Sequence, residues 1–141
     1  MGMRRKGREL ALQALYQLDL SGDEAASTLP VFWEHCDAPT DARTFGQALV
    51  SGVLEERTRI DELISGSSDN WRLSRLSHVD RNILRVATYE LLRRPDVPTT
   101  VAIDEAIEIA KRFGSDESPT FVNGVLDQIA LTVGVKEQRA L

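Results

Sequence analysis

The 141-residue chain carries 17 basic and 22 acidic residues for a formal net charge of −5, and 42% of it is hydrophobic. That suffices for one ordinary domain spanning 1–141 that buries its own core without a metal or disulfide. The single cysteine, Cys36, excludes an internal disulfide, and with no apolar run of about 18 residues and no signal-peptide core the chain is expected to be cytoplasmic rather than membrane-bound.

The charge is segregated. Residues 1–8 hold Arg4, Arg5, Lys6 and Arg8 with no acid, leaving 13 basic residues against 22 acidic ones in the rest of the chain. A basic end on an acidic body suits local capture of a phosphate backbone, with repulsion elsewhere. The plainer reading of the same four residues is a solvated, frayed terminus.

Hydrophobic spacing predicts a first helix from about Arg4 to Leu20, with Ala11, Ala14, Leu15 and Leu18 inward and Ser21-Gly22 ending it. Over 23–38, Leu29, Val31, Phe32 and Trp33 suit a short helix with Pro30 at a turn or first-turn position. Pro39-Thr40-Asp41 opens one long helix whose stripe is Phe45, Leu49, Val53, Ile60, Leu63 and Ile64, ending near Ser65-Gly66. The polar connection that follows holds Trp71, Leu73 and Leu76 as anchors, with Trp71 as a lid on the core and a single helical turn as its most regular form.

Ser77 can cap a helix in which Val79, Ile83, Leu84, Ala87, Leu91 and Leu92 face inward until Pro95 halts it, with Arg81, Arg85, Arg93 and Arg94 outside. Pro98 blocks continuation, and Thr99 or Thr100 can cap the next helix, where Ile103, Ala106 or Ile107, Ala110 and Phe113 form the apolar face. Lys111 and Arg112 suit its last turn, and Gly114 stands where a left-handed cap is wanted. Ser118-Pro119 opens a final helix through Val122, Val125 or Leu126, Ile129 and Val133 to Gly134, leaving a short tail. Gly124 inside it suggests that another backbone or a ligand passes close. No segment alternates like a strand. The fold class is all-α, a compact single-domain bundle of about six or seven helices.

The chemistry of an enzyme is missing. His35 beside Cys36 is too little for a zinc site, and His78 has no partner at metal-ligand spacing. Ser77, His78 and Asp80 share the letters of a catalytic triad but project in different directions from one helix start, so capping is the better account. Asp104, Glu105 and Glu108 lie where a helix dipole favours acids. No phosphate loop or dinucleotide fingerprint occurs, so neither catalysis nor a cofactor is expected. A basic helix start with rings nearby is instead the minimal kit for single-stranded RNA, and Tyr16 and Phe121 are the candidate rings. Both are residues that also serve well as core.

The stretches RLSHVDRNILRVATYELL and DVPTTVAIDEAIEIAKRFGSDESPTFVNGVLD, supported by RELALQALYQLDLSG at the start, resemble the bacterial NusB family of transcription antitermination factors over nearly the whole chain. The same helical domain also occurs fused to an RNA-cytosine methyltransferase, for which this chain has no room. The resemblance implies a protein that binds the boxA element of ribosomal RNA operon leaders together with the ribosomal protein NusE, in a Nus-factor complex on RNA polymerase. It implies an RNA surface of Arg4, Arg5, Lys6 and Arg8, then Gln13 and Tyr16, completed by Lys111, Ser115 and Phe121. Asp80 matches a position on the NusE side, with Arg81 and Glu90 as neighbours. Pro119-Thr120 departs from the family, where many relatives have a basic residue before this phenylalanine. A homodimer that hides the RNA face is a state left open, and the alternative function is a protein-interaction module without a direct RNA role.

Overall fold

The computed structural model describes residues 2–22, 25–68 and 75–135, which form seven helices: α1 (Met3–Ser21), α2 (Ala25–Glu34), α3 (Thr40–Glu55), α4 (Arg57–Ser67), α5 (His78–Arg93), α6 (Thr99–Phe113) and α7 (Ser118–Val133). The expectations for Trp71, Leu73, the single turn around them and the terminal tail lie outside these residues, Leu76 and Val135 apart. No strand occurs among the described residues, and none of their helices is long and apolar enough to cross a membrane.

One continuous core joins the helices. Leu49 of α3, Ile60 and Ile64 of α4, Leu84 of α5, and Leu126 and Ile129 of α7 are completely enclosed. α1 lies against α3 and α5, α6 pairs with α7, and both of the latter rest on α5. The α1–α3 crossing is close because it is built on two glycines: a Cβ on Gly46 would stand 2.9 Å from the Gly7 carbonyl oxygen, and one on Gly7 would stand 2.9 Å from that of Ala42.

The predicted single helix over 40–65 is two. Glu56, at φ −103° and ψ 16°, leaves helical geometry between them, so that α3 packs on α1 while α4 turns to α5 and α7. Pro30 stands inside α2 rather than in its first turn. Neither threonine caps α6: the Thr99 hydroxyl instead donates to the Val135 carbonyl at 3.2 Å, joining the start of α6 to the end of α7.

Gly114 is extended (φ −95°, ψ −168°), not left-handed. Its glycine is required by crowding, since a Cβ would lie 2.5 Å from Ser118 Oγ and 2.9 Å from the Ala110 carbonyl oxygen. Ser118 is the first residue of α7 rather than its cap, and its buried hydroxyl accepts the Ser115 N–H at 2.9 Å. Gly124 faces open space, so no backbone passes there. Arg85, expected outside, is buried.

Candidate nucleic-acid interface

Cations in the first turn of a helix oppose its dipole, and α1 has neither an acid in that turn nor a side-chain cap. The compensating carboxylates come from α5, α6 and the loop between them. Arg4 Nη2 donates to Asp96 Oδ2 at 2.9 Å. Arg5 grips Glu105 with both ends of its fork, Nε to Oε1 and Nη2 to Oε2, each at 2.8 Å. Arg8 does the same to Glu90 at 2.9 and 2.8 Å, with Glu105 3.8 Å away. The guanidinium groups of Arg4, Arg8 and Arg94 also surround the Phe45 ring at 4.8, 5.3 and 5.1 Å, where the ring face attracts cations.

The three pairs differ in depth. The side chains of Arg4, Arg5 and Arg8 are 50%, 38% and 5% exposed, so Arg4 and Arg5 can reach a ligand while Arg8 is a structural residue. The hydrogen bond from Arg94, joined by that from Arg4, holds the Asp96 carboxyl at about 2. The Arg5 hydrogen bond likewise holds Glu105 below the usual carboxylate range. Lys6 is exposed and makes no ion pair among the described residues; with Gln13 it lines a groove between α1 and α2 that also contains Phe32, His35 and Cys36.

Long side chains tie α1 to α6 at Arg5–Glu105 and again at Arg112–Glu9, 2.9 Å. Of the remaining candidates, Tyr16, Phe121 and Ser115 lie around the start of α5. Tyr16, 37% exposed, meets the His78 ring edge-on with centroids 5.9 Å apart. Phe121 and Ser115 share a groove with Arg75, Ser77, Asp80 and Glu117. Lys111 stands apart on the exposed side of α6, 3.2 Å from Glu108. Thr120, at the position just before Phe121, is exposed and adds no charge to this edge.

The three expected partner residues on α5 do not share a surface. Asp80 lines the groove of Phe121. Arg81 turns toward Asp19, with Nε 3.7 Å from Oδ2. Glu90, 1% exposed, is sealed beneath Arg8 and cannot present itself to another protein.

Sequence reasoning also missed the network below Tyr16. Asp19 Oδ2 accepts from Asn82 Nδ2 at 2.8 Å and lies 3.1 Å from His78 Nδ1; Asp19 Oδ1 is 3.5 Å from Arg85, which also grips Asp61 at 2.8 Å. Burial pushes the Asp19 carboxyl up, but the Asn82 and His78 hydrogen bonds and the charges of Arg85 and Arg81 hold it below its ordinary value. An acid near the end of an apolar helix is the only sequence signal for this. Ser77 is not part of the network: its hydroxyl accepts the Asp80 N–H at 3.0 Å, as a cap should. Among the described residues no cluster of three or more His, Cys, Asp or Glu is arranged to hold a metal ion.

Three comparisons bear on this arrangement. The NusB family model matches residues 5–131. A transcription antitermination protein NusB of Geobacter sulfurreducens is 52% identical over 134 residues, covering 94% of this chain and 97% of that protein. Among solved structures, NusB of T. maritima superposes with a TM-score of 0.82 at 45% identity, covering 91% of this chain and 90% of that one. A chain from a crystal structure of antitermination factors NusB and NusE in complex with dsRNA gives a TM-score of 0.82 at 25% identity over 92% of this chain and 97% of that one.

Proposed function

The chain belongs to the NusB family of transcription antitermination factors, and from that footing we propose that it binds single-stranded boxA RNA of ribosomal RNA leaders together with the ribosomal protein NusE. The pair then joins other Nus factors on RNA polymerase in the cytoplasm. The observation that carries this reading is the pair of rings at the start of α5: Tyr16 of α1 stands against His78 and Phe121 of α7 lines a groove with Ser77 and Asp80, while Arg4, Arg5 and Lys6 stand at the start of α1. Rings there can stack on splayed bases while the cations take phosphates. Gln13 and Ser115 add hydrogen-bonding groups, and Lys111 a peripheral charge. Asp80, in the groove of Phe121, offers a carboxylate to a basic partner such as a ribosomal protein, so that two weak surfaces act as one composite site.

A second reading, a protein-interaction module without a direct RNA role, draws on the fact that Arg4, Arg5 and Arg8 already hold carboxylates. Fluorescence anisotropy of a labelled single-stranded boxA RNA, with and without NusE, against scrambled and duplex RNAs at fixed salt separates the two. Preference for boxA that tightens with NusE is the expected result. Equal affinity for all three RNAs would reduce the site to nonspecific electrostatics. No RNA binding even with NusE present would put the protein-interaction reading first.

A further inference from the structure

We propose that Asp96 and Glu105 are built-in competitors of RNA phosphate, so that RNA engages the basic end by exchanging carboxylates for phosphates on Arg4 and Arg5. The inference rests on the RNA-binding reading above and assigns the regulation of that same surface. Four positive charges stand in residues 4–8, yet three carboxylates from elsewhere in the fold are already on them. Three of the four charges are thus already opposed before a polyanion arrives, with Asp96 shared between Arg4 and Arg94.

The pairing is not an accident of one helix, since Arg4 and Asp96 are 92 positions apart and Arg5 and Glu105 are 100 apart. It is also accessible. Both arginine side chains are more than a third exposed, whereas Arg8 with Glu90 is sealed and takes no part in the exchange. Glu105 occupies Nε and one Nη2 hydrogen of Arg5, leaving the Nη1 edge as the landing point from which a phosphate displaces it. The masking lowers the affinity of the basic end for any RNA, so that tight binding needs the ring contacts as well.

The test is RNA affinity across a salt series for wild type, Glu105→Gln, Asp96→Asn and the double variant, each confirmed as folded by far-ultraviolet circular dichroism. Glu105→Gln is expected to tighten boxA-type and scrambled RNA alike by about three- to fivefold, with the slope of log affinity against log salt nearly unchanged because the same phosphates are neutralised in both complexes. Asp96→Asn should act in the same sense but less, because Asp96 is shared with Arg94. It tests the proposal even if Glu105→Gln does not fold. Weaker or unchanged binding by a folded variant would overturn the exchange and make the carboxylates supports that aim the arginines. A slope steeper by about 0.7 would also overturn it, by showing that the wild-type arginine keeps its carboxylate in the complex. A wild type that binds no RNA would instead sink the RNA-binding reading, and this inference with it.

Discussion

Arg8 and Glu90, 82 positions apart, close on each other through three hydrogen bonds of 2.9, 3.2 and 2.8 Å with their side chains 5% and 1% exposed. A pair this deep has already given up its hydration, so its worth is seen most clearly when one member is removed. Glu90→Gln should cost about 3–5 kcal/mol in urea unfolding by stranding Arg8, whereas Arg8→Met with Glu90→Leu should be near neutral or stabilising. A loss below about 1 kcal/mol for the single change would mean that Glu105 alone can satisfy Arg8.

The glycines of the last two helices should respond in opposite directions. Gly114→Ala places a methyl group 2.5 Å from Ser118 Oγ at the α6–α7 corner and is expected to cost about 1–3 kcal/mol by overpacking. Gly124→Ala adds a methyl group in open space on α7 and should gain about 0.5–1 kcal/mol through helix propensity. Thermal or urea unfolding of the two variants decides this. A destabilised Gly124→Ala would contradict the open surface around that residue.

Acid should weaken the fold through carboxylates whose folded-state values are depressed. For such groups the stabilisation is present above the unfolded value and is lost as pH falls through the folded one. Asp96 moves from 3.8 to about 2, so its share disappears between about pH 4 and pH 2, and Asp96→Asn should flatten the stability profile in that window. Asp19 is depressed as well. Asp19→Asn should lower the urea midpoint at neutral pH and make it less sensitive to acid below about pH 4, and an unaltered acid limb would remove Asp19 from the account.

On the proposed RNA surface, rings and charges should separate by their salt dependence. Phe121→Ala and Tyr16→Ala should each cost about 1–3 kcal/mol of RNA affinity with the salt slope unchanged. Lys6→Ala should reduce the slope by about 0.7, and Thr120→Lys, restoring a cation beside Phe121, should raise it by a similar amount. A slope that follows the rings rather than Lys6 would refute this division of roles.

The all-helical architecture was legible because punctuation and periodicity agree: Ser77, Pro98, Pro119 and Gly134 all stand at or beside helix ends. The α3–α4 break was not, because Glu56 is an ordinary helix former and the apolar stripe runs on past it. What turns the chain there is tertiary: α3 and α4 share α5 as a neighbour, but α3 packs mainly on α1 whereas α4 reaches α7, and both helices bury their apolar residues. Charged residues misled for a related reason. Arg8, Arg85 and Glu90 read as surface groups, and only their distant partners, Glu90 and Asp61 among them, make burial affordable. The basic end itself was plain in the sequence, whereas its neutralisation depends on pairings 82–100 positions long.

Those distances have a consequence for synthesis. Translation completes α1 long before Glu90, Asp96 and Glu105 exist, so the nascent chain carries its basic segment bare through most of its elongation. Folding of the amino-terminal half cannot neutralise that segment. A ribosome stalled before residue 90 should therefore display an amino terminus that clings to nearby RNA and lets go only when the later helices arrive.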